Sequence, residues 1–186
     1  MIISPPFLST PQGINESDEA YVARNMSGGT PGDGAYPVSF NFQWHTGLHV
    51  EGPNAPVRAI ADGKIKWVSP QITPPTTGDV PLNYLTGWTS DGVVVIEHTT
   101  EIGDNVTVTY YSVYQHLSAI ANGLSTGRPI YRKDEIGRAG YIYGNPNKFH
   151  LEICCDDDNL EKLIGRKSGK LDLSKDGRTD ALWGDM

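Results

Sequence analysis

The sequence predicts a mainly β fold: a twisted antiparallel sheet whose loops bound a groove. Two observations carry that expectation. Glycine and proline are frequent, 21 and 13 of 186 residues, and punctuation at that density marks many turns. Between the turns stand short runs rich in Val, Ile and Tyr, such as Val93–Ile96, which suit strands.

The length fits one domain or two small ones and can bury a core without disulfide staples. Hydrophobic residues make up 38% and charged residues 20%, too apolar for a wholly disordered chain. No apolar run reaches about 18 residues, which excludes a membrane-spanning helix. A formal charge of −7 with no basic stripe argues against binding nucleic acid through its phosphates. The only two cysteines, Cys154 and Cys155, are adjacent, so no disulfide framework exists.

Along the chain, residues 1–37 are rich in Pro, Gly, Ser and Asn and read as an N-terminal arm or wrapping segment, with a short helix around Ser17–Met26. A β domain is expected over residues 38–155. Within it, Val57–Ala61 and Lys64–Val68 read as strands joined by Asp62-Gly63, a hairpin-turn dipeptide. Residues 70–91 lack periodicity, and loops of that length are usually functional or disordered. Val93–Ile96 has the look of a strand covered on both faces. From Val106 to Gln115 the pattern alternates, with Val106, Val108, Tyr110, Ser112 and Tyr114 on one face.

Pro129–Arg132 is a further strand, and Gly137–Gly140 reads as a turn. In the strand Phe149–Cys154, the period of two sends Phe149 and Leu151 into the core, with Lys148, His150 and Glu152 on the opposite face. Cys154 is expected in the core. Residues 156–186 read as a short helix, Leu160–Ile164, capped by Asp156–Asn159, followed by a polar tail. The tail lacks a compact ending, consistent with truncation of a longer chain. The start, Met1–Pro6, lacks the basic and apolar regions of a secretory signal.

Five histidines carry the chemistry: His45, His49, His98, His116 and His150. Imidazole is the commonest metal ligand and the usual acid or base at neutral pH. His45 and His49 are four apart, but Thr46 stands where a helical zinc-peptidase motif requires Glu. In an extended strand such positions lie roughly 13 Å apart, so both reach one ion only if the chain bends at Thr46-Gly47.

Five blocks in order resemble the lysostaphin/LytM-type zinc endopeptidases, which cut peptide cross-bridges in bacterial cell walls. They are His45-Thr46-Gly47-Leu48-His49, Pro56-Val57-Arg58-Ala59-Ile60-Ala61-Asp62-Gly63, Val94-Val95-Ile96-Glu97-His98, Tyr114-Gln115-His116-Leu117 and Lys148-Phe149-His150-Leu151-Glu152. The resemblance spans about residues 38–154 and implies the family's LytM-like duplicated hybrid motif, with the loop 70–91 as a groove wall. It implies His45 and His150 as zinc ligands and His116 as a catalytic histidine, with His98 outside the ligand set.

The chain departs from the family twice. His49 replaces the ligand Asp, and Lys148 replaces the first His of the last motif. Zinc accepts three imidazoles, so His45, His49 and His150 form a workable set. Lysine is normally charged at neutral pH, which leaves Lys148 three roles: stabilising an oxyanion, losing its proton beside a cation, or none, as an ordinary surface lysine. Glu152 is placed to orient a ligand.

The function implied is zinc-dependent hydrolysis of stem peptides or cross-bridges in peptidoglycan. The alternative is a catalytically degenerate cell-wall binding or regulatory module. Either suits a domain delivered by a phage or secretion system. The expected location is the cell wall or periplasm after non-classical export, and the cytoplasm otherwise.

Overall fold

The structure, a computed structural model, describes residues 3–7, 13–26, 44–52, 54–72, 83–84, 87–102 and 105–164. Its elements are helix α1 (Asp18–Met26), strands β1 (Leu48–Glu51), β2 (Pro56–Arg58), β3 (Gly63–Ser69), β4 (Asn83–Tyr84), β5 (Gly87–Trp88), β6 (Gly92–Glu101), β7 (Thr107–Ile120), β8 (Pro129–Ile130), β9 (Glu135–Ile142) and β10 (Asn145–Cys154), and helix α2 (Asp157–Ile164). Eight strands form one open antiparallel sheet in the order β1-β10-β9-β7-β6-β3-β8, with β2 paired to β9. The mainly β expectation holds.

One face of the sheet is the core. Val57, Ile65, Val94, Ile96, Tyr110, Tyr114, Leu117, Ile136, Phe149 and Leu151 all pack there. Residues 3–7 of the N-terminal segment join it: Pro6 accepts from the Arg58 amide at 2.7 Å, and Ser4 donates to the Ile60 carbonyl at 2.8 Å. The Phe7 ring meets Phe149 edge-on at 5.7 Å, and burying it contributes about 2–3 kcal/mol.

The site depends on how β7 pairs along one edge. From Tyr111 to Gln115 that edge belongs to β10, ending in Gln115 opposite His150. From Leu117 to Ile120 it belongs to β9, beginning with Ala139. The two partners also pair with each other, Lys148 opposite Gly140, so three strands meet around His116. On the other edge, Gly92 faces Leu117 and Val94 faces Tyr114. Two residues of β7 therefore oppose one of β6, a bulge. Tyr114 and Leu117, three apart, both remain in the core, while His116 leaves it.

Several local expectations are corrected. Asp62-Gly63 is not a hairpin turn: β2 pairs with β9, and β3 pairs with β6 and β8. The Asp62 side chain instead accepts from the Arg132 amide at 2.6 Å, and its carbonyl accepts from His98. Strand β6 alternates in burial and is not covered equally on both faces. Gly137–Gly140 is the middle of β9, where a Cβ on Gly137 would collide with the Ala119 carbonyl and one on Gly140 with Ser90 and the His116 carbonyl. Cys154 is exposed, because it follows the outward phase of β10.

Helix α1 forms at the expected place. Helix α2 begins at Asp157, with Asp156 Oδ1 accepting from the Asn159 amide at 2.8 Å. Much of the loop expected as a groove wall, residues 73–82 and 85–86, and the tail from 165 lie outside the described residues. No helix among those described is long and apolar enough to cross a membrane.

The Tyr114 hydroxyl accepts from the buried Ile60 amide at 2.9 Å. Tyr114→Phe leaves that N–H without its acceptor and is expected to destabilise by about 1–3 kcal/mol. Urea denaturation with an unchanged m-value checks it.

Candidate metal centre

Gly47 makes the bend that brings two histidines together. Its φ is 64°, a left-handed conformation that costs other residues strain. A Cβ there would also collide with the Leu151 carbonyl. The chain therefore turns tightly against β10, and His45, just ahead of β1, folds back over His49. Their Nε2 atoms lie 3.0 Å apart. Residue His49 pairs with His150 across β1 and β10, which brings in the third ring.

Ring centroids are 4.8 Å apart for His45 and His150, and 5.7 Å for His49 and His150. One ligand atom from each of the three lies within 4.8 Å of the other two. Around a tetrahedral zinc with bonds near 2.0–2.1 Å, nitrogens stand roughly 3.3 Å apart, so the widest pair needs to close by about 1.5 Å.

The polar atoms point the same way. His45 Nδ1 and His150 Nε2 are buried and lack hydrogen-bond partners, a costly state for polar nitrogens. His150 Nε2 is 3.7 Å from Glu152 Oε2, beyond hydrogen-bond range. The donor set fits a divalent transition metal such as zinc, which takes imidazole readily.

His116 flanks the cluster, its ring 6.0 Å from His49 and 6.3 Å from His150. Its φ is 63°, set by the bulge. Its Nδ1 lies 2.8 Å from the Ser90 carbonyl. A carbonyl only accepts, so Nδ1 carries the proton and Nε2 keeps its lone pair.

His98 stands apart: Nδ1 donates to the Asp62 carbonyl at 2.8 Å and Nε2 accepts from the Ser112 hydroxyl at 2.7 Å. Lys148 is buried, and its Nζ lies 3.8 Å from the carboxylate of Glu51, its cross-strand neighbour. Glu152 accepts from Thr46 Oγ1 at 2.8 Å, tying β10 to the bend that carries His45.

Sequence reasoning missed Ser90 and Thr46. Ser90 sits in a stretch with no periodicity, and its contact spans 26 residues. Thr46 had a signal in its place between two candidate ligands.

No family model matches the chain, and no curated protein matches it. Among solved structures, Csd3 of Helicobacter pylori in its orthorhombic crystal is similar at 19% identity and a TM-score of 0.43. The match covers 77% of this chain and 34% of that one, so this chain spans about a third of that protein's length. At that level the fold rests on the strands described above.

Burial holds the pKa of His45, His98 and His116 below the ordinary imidazole range. His150 is lowered to about 3, by burial first and then by the neighbouring His45, His49 and His116. Histidines depressed in the fold bind protons more readily when unfolded, so stability is full above about pH 6.5 and is lost as pH falls toward the folded values. Metal-stripped protein is expected to melt at progressively lower temperature between about pH 7 and pH 5. A flat calorimetric profile would contradict the burial of neutral rings.

Proposed function

We propose that this chain is a zinc-dependent peptidase domain acting on stem peptides or cross-bridges of the bacterial cell wall. The observation that carries the reading is the convergence of His45, His49 and His150 with a tautomer-fixed His116 beside them. The order of the five sequence blocks supports the same family of reactions.

In this reading His45, His49 and His150 hold the ion. Zinc in such a set supplies Lewis-acid polarisation of a peptide carbonyl and makes water acidic enough to attack near neutral pH. The remaining work belongs to the chain. His116 presents the Nε2 lone pair and accepts a proton there, then returns it to the leaving amine. Its Nδ1–H bond to Ser90 keeps the ring in the one tautomer able to do so.

Lys148 brings positive charge to the strand face two residues from His150 and stabilises the developing oxyanion. Glu152 holds the Thr46 bend and so positions His45.

A second reading is favoured by one contact. Lys148 stands where the family has a base, and Glu51 lies close to its ammonium. A wall-binding module that does not cut would tolerate that arrangement.

Metal analysis and digestion of purified cell wall separate the outcomes. The wild-type chain is expected to hold about one zinc and His150→Ala well under half, since losing one ligand of three costs affinity steeply. Zinc below about 0.1 per wild-type chain after reconstitution sinks the metal reading. Cleavage that appears only in a His49→Asp, Lys148→His double variant assigns the natural chain to the non-cutting module.

A further inference from the structure

An open polar depression of about 240 Å³ lies at the strand fork, lined among others by Asn54, Ser118, Gly140, Asn147 and the exposed Arg138 and Tyr141. We propose that it is a subsite for a free carboxylate of the substrate, gripped by Arg138. This rests on the peptidase reading for its purpose and on the depression's own chemistry for its ligand.

Charge is the first argument. The chain carries −7, yet among the described residues no carboxylate lines this depression and Arg138 is its single charged group. The guanidinium makes no ion pair or hydrogen bond within the described residues. Arginine's planar fork matches a carboxylate with two parallel hydrogen bonds. The amides of Asn54 and Asn147 on the same wall add neutral donors.

Placement is the second. Gly140 pairs with Lys148, and Ser118 follows His116 by two residues along β7. Arg138 pairs with Ala119, and His150 with Gln115. Four residues of β7, bulged at His116, thus separate the two, at most roughly 13 Å of strand, the span of up to about four extended peptide residues. Gly140 lets β9 pack directly against Ser90 and the His116 carbonyl, which a Cβ would strike, so this wall is joined to the exchange point of β7. At a size below the usual small-molecule range of about 300–1,000 Å³, the depression suits one residue rather than a sugar chain.

The carboxylate has two sources, the C-terminus of a peptide or an acidic side chain. Three N-acetylated probes distinguish them: D-Ala-D-Ala as the free acid, D-Ala-D-Ala amide, and D-Ala-D-Glu α-amide. Calorimetric titration is run on the full chain, as purified and after metal removal. At least one acid probe is expected to bind about ten-fold more tightly than D-Ala-D-Ala amide, a gain typical of a charge-assisted pair. Whichever acid gains names the source. Arg138→Gln is expected to erase that margin without weakening the amide, and Arg138→Lys to restore part of it.

Equal binding of acids and amide, no binding of any acid, or an equal loss for all probes in Arg138→Gln overturns the assignment. An Arg138-dependent margin in a chain that takes up no zinc leaves the subsite standing and removes the peptidase reading. A zinc-loaded, wall-cutting chain with no margin does the reverse.

Discussion

The structure turns on a single edge. Strand β7 gives up β10 as its partner and takes β9 in its place, and the residue at the exchange is His116. Without an extra residue there, His116 would share the inward phase of Tyr114 and meet the core. The bulge advances the phase by one, so Leu117 takes the core position and the imidazole turns to the opposite face. A non-glycine residue in the left-handed region costs about 1–2 kcal/mol. The bond from Nδ1 to Ser90 and the strands on either side hold it there. Strain of that kind, over-determined by its surroundings, collects at working sites.

The same fork explains why four rings gather so closely, two of them buried and two half-buried. Strands β1 and β10 deliver His49 and His150 as opposite partners, the Gly47 bend delivers His45, and the exchange in β7 delivers His116. Burying neutral imidazoles with unsatisfied nitrogens costs stability unless something supplies the missing partners. A core packed for stability alone would place apolar side chains at these positions. His98 shows the contrast. As buried as His49 and His150, it has both nitrogens hydrogen-bonded, and its ring stacks on Tyr110 at 4.7 Å.

How much of this could be read from the residues follows from the range of the interactions. The alternation from Val106 to Tyr114 is local, and it placed Val108, Tyr110, Ser112 and Tyr114 on the inward face of β7 correctly, while Val106, ahead of the strand, is exposed. It could not signal the phase change at His116, because that depends on which strands share the edge. Gly137 and Gly140 read as turn residues since glycine supplies turns. In the structure their missing side chains admit the carbonyls of Ala119 and His116, a demand set by distant strands. Asp62-Gly63 misled for the same reason: Asp62 bonds to Arg132 and His98, far away in sequence. The bend at Gly47 was legible because the need for it follows from the spacing of two histidines alone.

His49 and Lys148 both leave the surroundings of the cluster more positive than carboxylates would. His45, His49 and His150 are neutral donors, so a dication held by them would keep its full charge inside the fold. The carboxylate of Glu152 is 3.7 Å from His150 Nε2 and offsets part of it without being a ligand. Lys148 adds a cation on the same face, with Glu51 3.8 Å from its ammonium. Glu51 is more than half exposed, so water screens its pull on the lysine. The face toward the strand fork is thus net positive with a dication in place, and Arg138 extends that sign along β9. Such a field favours an anionic peptide over a cationic one, and it strengthens where a substrate excludes water.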